Sequence, residues 1–217
     1  MSLVLSVNVA RPRANPAKPS TTTGIDKAPT GDAVLVQAPG PKGPGLAHDT
    51  IGNSKLHGGD DQAVYAYARE DLDQWSGRLD RQISSGMFGE NLTTSGIDVT
   101  TAVIGERWTV GSDGLVLEVT SPRTPCKTFA AWLEIPGLIK TFTAAALPGA
   151  YFRVISPGHV RAGDAITVTD RPDHGVTVQT VFRALLSDPS LLDGLQHLDA
   201  LPEDIKRKAR RRSERPA

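Results

Sequence analysis

The chain has one cysteine, Cys126, within Ser121-Pro122-Arg123-Thr124-Pro125-Cys126-Lys127. Two prolines restrict the backbone just before the thiol. Arg123 and Lys127 put positive charge beside it in sequence. Cations lower a thiol's pKa and favour the thiolate, which is both the nucleophile and the ligand for soft metals. They would also attract an anionic ligand, such as an oxo-metal centre or a phosphate. A buried cysteine acting as a small hydrophobe is the ordinary alternative, and the local residues leave both readings open.

Two other segments carry polar groups where a ligand could use them. In Leu56-His57-Gly58-Gly59-Asp60-Asp61, the paired glycines let backbone approach a ligand closely, and the chain then re-enters a strand with His57 at its mouth. A metal site built from His57 with His48, Asp60 or Asp61 is one alternative, but the spacing matches no His-Glu-x-x-His pattern. A water-facing turn is another. In Met87-Phe88-Gly89-Glu90-Asn91-Leu92, Asn91 offers both a donor and acceptors, which suits a heterocycle's edge; satisfying loop backbone is the plainer role.

The bulk numbers narrow the setting. The 217 residues suit one medium domain with a small appendage. Lys plus Arg and Asp plus Glu total 24 each, so net charge gives no reason to expect nucleic acid or an anionic membrane as partner. One cysteine cannot form an internal disulfide, which fits a reducing compartment. The N-terminal residues read as a strand rather than a signal peptide. No stretch approaches the roughly 20 apolar residues that span a bilayer. The expectation is a cytoplasmic protein.

The 21 glycines and 16 prolines punctuate the chain into short elements, which favours a β-rich body. Strands are expected at 1–9, 33–38 and 63–67, the last leading into a helix with Leu72, Trp75 and Leu79 at helical spacing. A hairpin is expected over 103–110 and 115–120 around Gly111-Ser112-Asp113-Gly114. Two short helices over 127–146 break at Pro136-Gly137, and strands return at 151–155 and 165–169. From Val178 the pattern Val181, Phe182, Leu185, Leu186 is an amphipathic helix. Asp188-Pro189 then opens a second helix carrying Leu191, Leu192, Leu195 and Leu198, and Pro202 a third that runs into Lys206–Arg212. This divides the chain into a β-rich domain, 1–172, and a three-helix C-terminal extension, 173–217. The basic end reads as a solvated cationic terminus that complements the helix dipole.

In this order the pieces resemble the MOSC family, and within it the bacterial YiiM-like branch with a C-terminal three-α-helix extension. They are Thr23-Gly24-Ile25-Asp26-Lys27, His57-Gly58-Gly59-Asp60, Phe88-Gly89-Glu90-Asn91-Leu92, Ile104-Gly105-Glu106, Pro122-Arg123-Thr124-Pro125-Cys126, Gly149-Ala150-Tyr151-Phe152-Arg153-Val154, and Gly158 through Gly163-Asp164. The resemblance spans nearly the whole chain. Close relatives often have a basic or His residue where Leu56 stands here.

The resemblance implies a mainly β fold with α, a β-barrel-like domain of complex topology. It implies a molybdenum cofactor of the molybdopterin type, with Cys126 as the metal ligand and no pyridoxal phosphate. Cys126, His57 and Asn91 would serve catalysis; Arg123, Lys127, Lys27, Gly58, Gly59 and Asn91 would hold the cofactor. The implied activity is reduction of N-hydroxylated compounds such as hydroxylamino-purines. The chain has no flavin, haem or iron–sulfur motif, so a separate electron-transfer protein is the expected partner beside the small-molecule substrate. The helical extension can dimerise the chain, cover an opening or dock that donor. Two rivals stand against this: a non-catalytic carrier of the cofactor or of sulfur on Cys126, and a metal-dependent hydrolase centred on His57 and Asp60.

Overall fold

The computed structural model describes residues 1–53 and 57–214; Leu56, the departure from close relatives, lies outside the described residues. In chain order the strands are β1 (Leu3–Ala10), β2 (Arg13–Asn15), β3 (Lys18–Thr23), β4 (Lys27–Thr30), β5 (Val34–Val36), β6 (Val64–Ala68), β7 (Leu92–Ser95), β8 (Arg107–Val110), β9 (Leu115–Pro122), β10 (Ala150–Ser156), β11 (Gly158–Val160) and β12 (Ile166–Asp170). The α-helices are α1 (Arg69–Leu79), α2 (Lys127–Leu133), α3 (Leu138–Ala145), α4 (Val178–Leu186) and α5 (Glu203–Ser213).

Eight strands form one sheet in the order β12-β8-β9-β10-β6-β7-β1-β4. Register shifts in β1, β10 and β12 add local twist, as bulges do. The sheet curls until Leu3 of β1 bridges Ala165, just before β12. It does not close. Its edge strands β4 and β12 are not neighbours in the sheet, and Ser2 and β1 meet residues 163–166 through one isolated bridge and three backbone hydrogen bonds, not a ladder along β12. The expected barrel is therefore corrected to an open, strongly curled sheet.

β6 shows how the sheet divides its packing. Successive side chains point to opposite faces. Val64, Ala66 and Ala68 enter the core shared by the sheet strands. Tyr65 and Tyr67 enter a second, aromatic core with Trp75, Phe129 and Phe142, under α1–α3. All five β6 residues are buried, as expected for a strand covered on both faces. β6 pairs parallel with β7, while the other named strand pairs are antiparallel. A parallel neighbour requires a crossover, and α1 supplies it. The chain returns through 80–91, which delivers Asn91 to the head of β7.

The sequence-derived elements mostly stand, with two corrections. The first strand of the 103–110 hairpin begins at Arg107, because Val103-Ile104-Gly105-Glu106 forms a turn instead: Glu106 N bonds Val103 O at 2.9 Å. Among the described residues the C-terminal extension has two α-helices, not the expected three. Between α4 and α5 the chain makes two 3-10 turns, Pro189–Leu192 and Leu195–His197. Asp188 caps the first of them through Ser190 N, but Gly194 adopts a left-handed φ of 84° and interrupts any continuous helix. Val178, Val181, Leu192, Leu195, Leu201 and Ile205 belong to the same buried cluster as the sheet.

Candidate functional site

One cavity of about 800 Å³ takes its lining from the β2–β3 hairpin, the loops before β6 and β7, and the β9–α2 junction. Cys126, His57, Gly58, Asn91, Arg123, Lys127 and Lys27 all line it. Three loops far apart in sequence thus converge on one cavity. Gly59 does not line the cavity; it has φ 82° and opens the 3-10 turn Asp60–Gln62. Gly58 is needed where it stands. Its φ is 80°, and an added Cβ would lie 2.6 Å from Gly43 O.

The thiol wall is built at the end of β9. Pro122 ends the strand, and Cys126, extended at φ −128° and ψ 167°, is the residue before α2. Burial pushes the Cys126 thiol up. A hydrogen bond from the His57 side chain, the charge of Arg123 and the Phe129 N–H outweigh it and hold the pKa at about 7. The Phe129 N–H does so without closing a side-chain cap. Arg123 is 6% exposed. Its Nη1 donates to Phe88 O at 2.6 Å, and its guanidinium lies 3.9 Å from the Phe129 ring centre. Burial works against that charge, but Tyr65, Tyr151 and Cys126 favour it, and the Arg123 pKa stays above its ordinary value. Lys127 is exposed at the cavity wall.

The opposite wall is a closed polar network. Lys27 Nζ donates to Asp49 Oδ1 at 2.6 Å and to Oδ2 at 2.5 Å. Both side chains are buried, and burial lowers the Lys27 pKa despite Asp49. Asp49 also accepts from Ala10 N at 2.8 Å and from Asn91 Nδ2 at 2.8 Å. Asn91 Oδ1 accepts from Tyr65 N at 3.2 Å, and its Nδ2 also reaches Asn8 O at 3.4 Å. Neighbouring Glu90 is fully buried and accepts from Gly86 N, Phe88 N and Thr93 Oγ1 at 2.6, 3.1 and 2.9 Å, which fixes the loop that carries Asn91. Lys27 and Asn91 are thus placed at the cavity with their polar groups already bonded within the protein.

The hydrolase alternative finds no ligand set. Asp60 accepts from Gly40 N at 2.8 Å, Asp61 pairs with Arg153 at 2.5 Å, and among the described residues no three His, Cys, Asp or Glu side chains are grouped to hold a metal.

Sequence reasoning missed Asp49, Tyr65, Tyr151 and Gln62, all of which line the cavity. Asp49 lies in a loop with no pattern of its own. Tyr65 carried a signal, since a large polar-tipped ring alternating with alanine on a buried strand needs a partner for its hydroxyl.

Residues 53–167 match the model of the MOSC domain. The chain belongs to the MOSC domain family. It is 31% identical to the uncharacterized protein YflK of Bacillus subtilis strain 168 over 90% of this chain and 86% of that protein. It is 30% identical to Protein YiiM of Escherichia coli strain K12 over 62% of this chain and 60% of that protein. A protein named Reductase from Gibberella moniliformis is 28% identical over 69% of this chain, which spans only 27% of that protein. In fold, the chain matches the crystal structure of YiiM from Geobacillus stearothermophilus with TM-score 0.79 and 23% identity, covering 98% of this chain and 99% of that one. The matched domain contains His57, Asn91, Arg123 and Cys126, while Lys27 lies before it. No helix among the described residues is long and apolar enough to cross a membrane.

Proposed function

We propose that this MOSC chain binds a molybdenum cofactor of the molybdopterin type through Cys126 and reduces N-hydroxylated compounds of the hydroxylamino-purine kind. The observation that carries the reading is the Cys126 sulfur, held at a pKa of about 7 by His57 and Arg123 on the wall of a large cavity. The residues fit such a group on two counts. A thiolate is a soft metal donor. Lys127 stands exposed on the same wall as a cation for a phosphate.

When bound, the cofactor supplies a two-electron redox centre. The overall reaction is R–NH–OH + 2 e⁻ + 2 H⁺ → R–NH₂ + H₂O. The electrons come from a separate electron-transfer protein, and the name of the Gibberella relative supports a reductase. In this reading Cys126 would ligate the metal, and His57, bonded to the sulfur, would steady it. Arg123, fixed by Phe88 and Phe129, keeps the wall positive toward an anionic ligand. Lys27, Asp49 and Asn91 hold the opposite wall in place.

The test is metal analysis of protein from a molybdopterin-competent host, with Cys126→Ser alongside, followed by turnover of an N-hydroxylated base with a chemical reductant. The wild type should carry molybdenum and turn over, and the variant should lose both. A wild type without molybdenum, or a variant that holds as much, overturns the reading. Molybdenum without turnover across a substrate panel makes the chain a cofactor carrier.

A further inference from the structure

Three tyrosines stand side by side, two of them, Tyr65 and Tyr151, at the cavity, and their hydroxyls differ. The β6–β10 register places Tyr151 opposite Tyr65, with ring centres 5.0 Å apart. Tyr67 lies 6.1 Å beyond Tyr65. The Tyr65 hydroxyl donates to Pro148 O at 2.8 Å. The Tyr67 hydroxyl donates to Leu147 O and accepts from Trp75 Nε1 at 2.9 Å. Both are occupied by the protein. Tyr151 bonds through its backbone: its carbonyl accepts from Thr120 Oγ1 at 3.0 Å, and strands flank it on both sides. Its hydroxyl has no hydrogen-bond partner among the described residues, and it is not among the sealed, unpartnered buried atoms. The side chain lines the cavity, with Arg123 and Cys126 as its charged neighbours.

A buried hydroxyl normally finds a partner. A rigidly mounted ring whose O–H opens into a cavity is therefore set to bond what enters it. Burial keeps the Tyr151 pKa above its ordinary value, so the group is a neutral donor. A neutral donor suits an oxygen acceptor beside a thiolate, where an ammonium would instead pair with the sulfur.

We propose that the Tyr151 hydroxyl binds substrate by donating a hydrogen bond to the oxygen of its N–O group, which orients that oxygen toward the Cys126 side of the cavity. This rests on the N-hydroxyl reductase reading and assigns a specificity-determining residue to it. The amine product lacks that oxygen, so Tyr151 discriminates substrate from product.

The experiment compares wild type and Tyr151→Phe as cofactor-loaded proteins. Dissociation constants for an N-hydroxylated base and for its amine are measured by calorimetry without reductant, so that nothing turns over. Molybdenum content and the unfolding midpoint should not change, because the hydroxyl bonds nothing among the described residues. Affinity for the N-hydroxylated base should fall about two- to tenfold, the worth of one neutral hydrogen bond, while affinity for the amine stays the same. With reductant, turnover of the N-hydroxylated base should fall as well. Equal weakening for both ligands, weakening for neither, or loss of molybdenum overturns the proposal while leaving the reductase reading intact. A molybdenum-loaded wild type that reduces no N-hydroxylated compound overturns the reductase reading, and this proposal with it.

Discussion

The two walls of the cavity use similar residues for opposite ends. On the Lys27 wall, Lys27, Asp49 and Asn91 all have protein partners: both oxygens of Asp49 are bonded, and the Asn91 carboxamide accepts one bond and donates two. On the Cys126 wall, the sulfur is held by the His57 side chain, the Phe129 N–H and the charge of Arg123, Lys127 is exposed, and the Tyr151 hydroxyl is unbonded among the described residues. Closed networks of buried polar groups rigidify a fold, and each member becomes costly to remove. Open groups contribute little to the fold and are available to a ligand. Cavity lining alone therefore does not separate a binding residue from a structural one; the state of its hydrogen bonds does.

Lys27→Met should show the largest effect. It leaves the Asp49 carboxylate buried without its cation, which costs about 3–5 kcal/mol when a buried pair is broken. Urea unfolding would read this, and an unchanged midpoint would break the contrast between the walls. Asn91→Ala should follow at about 1–3 kcal/mol, because Tyr65 N loses its acceptor and Asp49 Oδ2 loses one of its two donors.

Across the cavity the expected readout is chemistry rather than stability. In cofactor-free protein, alkylation of Cys126 should accelerate as pH rises through about 7, since only the thiolate reacts. Below that pH the thiol is protonated and slow. In His57→Ala one hydrogen bond to the sulfur is gone, so the midpoint of the alkylation profile should move to higher pH; an unmoved profile would remove His57 from the thiol wall. Lys127→Ala should have the smallest effect on the fold, within about 0.5 kcal/mol, and should weaken only the binding of anionic ligands.

Much of the strand order along the chain was legible in advance, because alternation, turn glycines and helical stripes are local. The strands that were not foreseen are informative. β2, β3 and β4 are short and polar, and β7 begins at Leu92 inside a segment read as a loop. Their pairing comes from neighbours remote in sequence, as β7 from β1 and β6. The middle of the C-terminal extension failed for a related reason. Its leucine stripe suits a helix, but the same leucines reach the core from two 3-10 turns separated by Gly194.

For the site, the residues themselves determined which loops mattered. Cys126 between prolines and cations, His57 before two glycines, and Asn91 after Glu90 were chemically conspicuous without a fold. Only the tertiary structure decided which of their polar atoms remain open. Asn91 became a structural clamp because Asp49, 42 residues away, accepts its amide. The thiol was tuned because His57 and Arg123 met at it. Tyr151 emerged because its neighbours' hydroxyls found carbonyls at 147 and 148 and its own did not. Hydrogen bonding and desolvation depend on distance in space, and spacing along the chain does not encode that distance.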